Sequence, residues 1–240
     1  MTESDLQIPT PDGIADGVLV RPDGAGRTPA VIHLTDIGGI RPSHREMARR
    51  LAEKGYSVLL PNVFYRTGRP PLFDFTPVIG EERTMKRFGQ LAAPLTLEAM
   101  ERDAAAYVDF LGDGPIGVVG YCFAGALALR SAAVRPDRVV AAASFHGGGL
   151  ATDAPTSPHL VLPRVRARLY FAHATQDRSM PPAAIEKLEA ALRVWGGRYE
   201  SEVYEGALHG WTVSDAPVYN PPLAERAFEK LTALFAATLH

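Results

Sequence analysis

Ile116-Gly117-Val118-Val119-Gly120-Tyr121-Cys122-Phe123-Ala124-Gly125-Ala126-Leu127-Ala128-Leu129 is the stretch on which the reading of this chain turns. A short β-branched run stops at glycine, and an alanine- and leucine-rich run follows within a few residues. That order predicts strand, tight turn and helix. Gly120 and Ala124 stand two residues before and two residues after Cys122. Small residues at those places suit a strand-to-helix turn that presents a nucleophile, because the strained backbone crowds its neighbours. The pattern G-x-C-x-A departs from G-x-C-x-G only in its second small residue. A cysteine so placed also heads a helix N-terminus, where the dipole and free N–H groups favour a thiolate. The N–H of Phe123 would be available to an oxyanion. The turn alone leaves a second reading open, a cysteine buried for packing.

The same alternation extends outward in both directions. Apolar runs at 30–34, 57–60, 139–145, 168–172 and 199–204 read as further strands. Ser43 and Glu46 have the spacing of a capping box, and Met47, Ala48, Leu51 and Ala52 then recur at helical period up to Gly55. Leu97, Met100, Ala104, Val108 and Leu111 mark another helix, and 181–195 and about 222–239 two more. Residues 62–82, with Pro70, Pro71 and Pro77, read as irregular. Strands alternating with helices predict an α/β fold, a mostly parallel, doubly wound sheet with helices on both faces. At 240 residues the chain is expected to form a single domain, 1–240. Sites in such sheets lie beyond the carboxyl ends of the strands.

Composition narrows the function classes. A net charge of −2 with scattered Lys and Arg argues against a nucleic-acid partner. No apolar run approaches the roughly 18 residues that span a membrane, and the first twenty residues show no secretory pattern. One cysteine cannot close an internal disulfide, which agrees with a cytoplasmic location. No HExxH, cysteine-rich or P-loop pattern is present, so neither metal nor cofactor is expected. No feature specifies an interface, and the oligomeric state stays open.

A nucleophilic cysteine needs a base and an orienting acid, in the chain order nucleophile, acid, histidine. Asp177 follows the 168–172 strand, and His209 follows the 199–204 strand within Ala207-Leu208-His209-Gly210. Both stand at strand ends, where the sheet rule looks for chemistry. The ordered set Cys122, Asp177, His209 is more telling than any member alone. His146 also ends a strand but precedes Asp177, so it is expected to line the pocket rather than act as the base. His33 and His173 read as structural, and His44, His159 and His240 as exposed.

With Gly120–Gly125, the Asp177 loop and Ala207–Gly210 in view, the chain resembles the dienelactone hydrolases, or carboxymethylenebutenolidases, over nearly its whole length. The resemblance implies an α/β-hydrolase fold, no cofactor and a Cys122–His209–Asp177 triad. It also implies a supporting acid at Asp36, in Thr35-Asp36-Ile37-Gly38-Gly39, where the family usually has Glu. Ile37 would then give the second oxyanion-hole N–H. Arg83 matches one of the family's carboxylate-binding arginines, whereas the place of the other holds Val213. Phe64, Tyr65, Phe73, Phe75 and Trp211 are candidates for an aromatic substrate wall. The implied partner is a small ester or lactone, an enol-lactone or a simpler ester or thioester. A non-catalytic relative that binds a small ligand and a redox-sensing cysteine are the readings that compete.

Overall fold

The computed structural model of the chain describes residues 1–24, 26 and 28–239; His240 lies outside them. Eight strands form one sheet: β1 Thr2–Thr10, β2 Gly13–Arg21, β3 Ala30–Leu34, β4 Ser57–Pro61, β5 Ile116–Tyr121, β6 Val139–Phe145, β7 Arg168–Gln176 and β8 Tyr199–Leu208. The helices are α1 Pro42–Glu53, α2 Glu82–Ala92, α3 Leu97–Phe110, α4 Ala124–Val134, α5 Pro182–Trp195 and α6 Pro221–Ala236. The sheet order is β1-β2-β4-β3-β5-β6-β7-β8. From β4 through β8 neighbours run parallel, whereas β1 and β2 form an antiparallel hairpin at the edge.

Strand residues alternate between two cores, as a pleat buried on both faces requires. On β5, Val118 joins the layer holding Tyr107 and Val108 of α3, Leu127 and Ala128 of α4 and Leu188 and Leu192 of α5. Val119 and Tyr121 join the opposite layer, with Ala48 and Leu51 of α1 and Leu231 and Phe235 of α6. Helices therefore cover both faces, and the doubly wound expectation holds. Among the described residues no helix is long and apolar enough to cross a membrane.

Three local expectations change. The hairpin β1–β2 and helix α2 were not anticipated. Helix α1 starts at Pro42, whose fixed φ suits a first helical position. Ser43 is thus inside the helix, and its hydroxyl donates to Asp215 at 2.9 Å rather than capping. His44, expected at the surface, is fully buried on the inner face of α1.

Candidate active site

Cys122 sits between the end of β5 and the start of α4 with φ at 58°. An L-residue in that region is strained, and the surroundings must hold it there. Its N–H donates to the carbonyl of Phe145 at 3.1 Å and to Nδ1 of His146 at 3.1 Å, and its carbonyl accepts from Gly125 at 3.0 Å. Gly120 explains the small-residue rule directly. A Cβ added there would lie 1.9 Å from the carbonyl oxygen of Ala124. At Gly125 it would lie 2.2 Å from Oγ of Ser144.

His209 and Asp177 come to the same place from the ends of β8 and β7. Nδ1 of His209 lies 2.6 Å from Oδ2 of Asp177. The other carboxylate oxygen of Asp177 accepts from the N–H of Ser179 at 2.8 Å and from its hydroxyl at 2.6 Å. Burial disfavours the charged form of His209, but hydrogen bonds to Asp177 and to the Cys122 side chain outweigh it and raise its pKa to about 10. Burial likewise opposes the charge of Asp177, yet His209 and Ser179 hold its carboxyl below the usual range. Ser179 was missed in the sequence. A hydroxyl two residues after an aspartate is the signature of a local side-chain-to-backbone turn, so a signal existed.

The half-buried Ile37 belongs to the loop after β3, and Phe123 follows Cys122 at the start of α4. Neither N–H has an acceptor among the described residues. Asp36, next to Ile37, is placed differently from expectation. Its carboxylate accepts from Arg41 through Nη1 at 2.5 Å and Nη2 at 2.8 Å, and from the N–H of Gly38 at 2.8 Å. Nε2 of His44 lies 3.3 Å from Oδ2, and Nδ1 of His44 meets Nε2 of the buried His33 at 2.8 Å. Burial would raise the pKa of Asp36; His44 and Arg41 together drive it far below the carboxylate range. Arg41 continues to Asp215, at 2.8 and 3.0 Å, in the segment after β8. Arg41, held by Asp36 on one side and Asp215 on the other, is thus the centre of an ion-pair clasp between two loops. The carboxylate of Asp36 is already engaged by Arg41, His44 and Gly38, and a side chain one methylene shorter than Glu favours such near partners.

The expected substrate contacts are scattered. Phe64 is buried and packs on Phe123 at 5.5 Å between ring centroids. The Tyr65 hydroxyl is shared between Thr10 and Asp103, toward the hairpin and α3. Trp211 is fully buried between His146 and Tyr204 and is part of the support rather than of a substrate wall. His146 is buried too, with Nε2 2.8 Å from Oγ1 of Thr212. Arg83, at the start of α2, is 63% exposed, pairs with Asp74 at 3.0 Å and lies over the ring of Phe75. Val213 is fully buried.

The Dienelactone hydrolase family model matches residues 15–239. The chain belongs to the dienelactone hydrolase family. It is a carboxylic-ester hydrolase of that type. A carboxymethylenebutenolidase from Rhodococcus opacus is 33% identical over 189 residues, covering 78% of this chain and 71% of the relative. A structure from Klebsiella pneumoniae assigned to dienelactone hydrolase superposes with a TM-score of 0.86 at 23% identity, covering 98% of each chain. A dienelactone hydrolase-like promiscuous phosphotriesterase, P91, from metagenomic libraries gives 0.81 at 20% identity, covering 100% of this chain and 99% of the other. At those identities the structures speak for the fold, which is the α/β-hydrolase fold.

Proposed function

We propose that this family member hydrolyses small, uncharged esters and lactones, enol-lactones among them, through a thioester on Cys122. The carrying observation is the convergence of a strained Cys122 and of His209, whose charged form the Cys122 side chain favours, with Asp177 2.6 Å behind the imidazole. Asp177 holds Nδ1, which leaves Nε2 for the sulfur. His209 already carries the proton drawn from the thiol when Sγ attacks the carbonyl carbon, and the N–H groups of Ile37 and Phe123 receive the oxyanion. The C–O bond breaks, and the departing alkoxide takes the proton from the imidazolium. Water then attacks the thioester, His209 accepts its proton and returns it to the departing sulfur. Ionised His209 is stabilised well above its ordinary range, so it holds a proton that an alkoxide can use.

Preference for uncharged substrates rests on the arginines. A carboxylate-bearing lactone needs a fixed cation to offset its desolvation. Arg83 is exposed and already paired, Arg41 is shared by two carboxylates, and Val213 occupies the second arginine position. The test is a panel of p-nitrophenyl acetate, an uncharged enol-lactone and a carboxylated dienelactone, run with wild type and Cys122→Ala. Turnover of the first two that disappears in the variant is expected, with the carboxylated lactone the poorest by kcat/KM. Undiminished turnover by Cys122→Ala would reject the nucleophile, and a preference for the carboxylated lactone would reject the substrate class.

A further inference from the structure

Two non-glycine residues among those described have positive φ, Cys122 at 58° and His146 at 42°. They are hydrogen-bonded to one another. Strain of this kind persists only where the surroundings over-determine it, and here each strained residue is part of what holds the other. Because Nδ1 of His146 accepts the N–H of Cys122, the ring proton must be on Nε2. Nε2–H then donates to Oγ1 of Thr212, 2.8 Å away. Thr212 is three residues beyond His209, in the segment that follows β8. The chain of bonds therefore runs from the backbone of the nucleophile turn, across the end of β6, to the segment that carries the base.

We propose that His146 is a positioning residue that, through Thr212, fixes the Cys122 turn against the loop carrying His209. The inference rests on the reading of Cys122 and His209 as nucleophile and base. His146 is 1% exposed, so it reaches no substrate and acts only through its neighbours. Its ring lies edge-on to His209 at 5.2 Å and to Trp211 at 5.2 Å, between centroids. A second positive charge there would oppose an imidazolium at His209. Burial foremost, with His209 adding to it, lowers the pKa of His146 to about 3, so the ring stays neutral and keeps Nδ1 free to accept. Histidine suits both demands: it tolerates left-handed backbone better than most residues, and its two nitrogens reach opposite walls of the site. The effect belongs to catalysis because a misplacement of about 1 Å between reacting groups costs on the order of a hundredfold in rate.

A double-mutant cycle tests this. Asparagine at 146 keeps an acceptor near the place of Nδ1 and accepts the positive φ, but its amide is too short to carry a donor to Thr212. Thr212→Val removes the same bond from the other end. Each single variant is expected to lower kcat about tenfold with KM changed less than twofold, the size of one lost hydrogen bond. His146→Asn/Thr212→Val is expected to be no slower than either, since both remove one interaction, and Thr212→Ser to return within threefold of wild type. The pH profile of Cys122 alkylation by iodoacetamide should move in both single variants and not in Thr212→Ser. Losses that multiply in the double variant, or a Thr212→Val enzyme equal to wild type in kcat and alkylation profile, would overturn the proposal. If Asn at 146 does not fold, the Val and Ser variants at 212 decide it alone. Turnover that survives complete alkylation of Cys122 would overturn the nucleophile and this inference together. Turnover that alkylation abolishes, in variants indistinguishable from wild type, would overturn only the role of His146.

Discussion

Gly120→Ala tests the turn more severely than any change to the sulfur. The added Cβ would meet the Ala124 carbonyl oxygen at 1.9 Å, the Ala124 carbonyl carbon at 2.4 Å and the Gly125 nitrogen at 2.9 Å. An ordinary carbon–oxygen contact is roughly 3.3 Å or more, so the first contact is about 1.4 Å too short. All three atoms are backbone at the start of α4, with no rotamer to swing aside. Relief must come from moving the turn itself, which carries Cys122 and the Phe123 N–H. Overpacking of this kind costs about 1–3 kcal/mol, and a shift of about 1 Å at the reacting atoms costs on the order of 10²-fold in rate. The expected outcome is a folded, less stable protein with kcat/KM for p-nitrophenyl acetate reduced at least a hundredfold. Gly89→Ala is the control: nothing lies within 4 Å of the new Cβ on exposed α2. Losing a mid-helix glycine there should add up to about 1 kcal/mol of stability and leave kcat unchanged. Wild-type kcat/KM in Gly120→Ala would show that the turn is not shaped around Cys122, and the steric argument would fail.

Asp177→Asn should destabilise the protein most between about pH 4 and 6.5. The depressed Asp177 contributes above its ordinary 3.8 and loses that contribution as pH falls through its lowered value; the raised His209 contributes fully below 6.5 and loses it as pH climbs through about 10. Urea melts of both proteins across pH 3–10 should show the gap closing at each end, and a constant gap would refute the linkage. Arg41→Ala leaves the carboxylate of Asp36 without its cation and should cost roughly 2–3 kcal/mol, less than a wholly buried pair because both side chains keep some solvent. It should also lower kcat by loosening the Ile37 loop, so a melting temperature within a degree of wild type would contradict the clasp. Arg83→Ala should change stability by less than about 0.5 kcal/mol and leave the ratio of kcat/KM for charged and uncharged lactones unmoved, because its present partners are exposed.

The parts of this site that were legible in the sequence are those fixed by local chemistry. Gly120, Cys122 and Ala124 are within five residues, and their spacing follows from the crowding of one turn. Asp177 and His209 could be paired from the sequence because a parallel sheet brings the ends of β7 and β8 side by side, so position along the chain translates into position in space. Helix α1 shows the limit of a local rule: the Ser43–Glu46 spacing has the form of a capping box, but Pro42 takes the first helical position and Ser43 turns to Asp215.

What sequence did not reveal are the contacts between segments with no fixed spacing. Arg41 and Asp215 are 174 residues apart, and Cys122 reaches Thr212 only through the ring of His146. Neither link has a motif, because either could be made by several residue types from several loops. They share a physical consequence. In the proposed mechanism the loop after β3, the turn after β5 and the segment after β8 each bring one part of the chemistry: an oxyanion donor, a nucleophile and a base. Loops that carry reacting groups must be held to a fraction of an ångström, and hydrogen bonds along the strands stop short of them. Arg41 ties the first to the third by charge, and His146 ties the second to the third by neutral hydrogen bonds. The two ties answer different perturbations. Screening by salt weakens exposed ion pairs and leaves buried neutral bonds almost untouched, so in Thr212→Val the remaining alignment depends on the partly exposed Arg41 clasp. The rate of that variant should therefore fall with added salt more steeply than that of wild type.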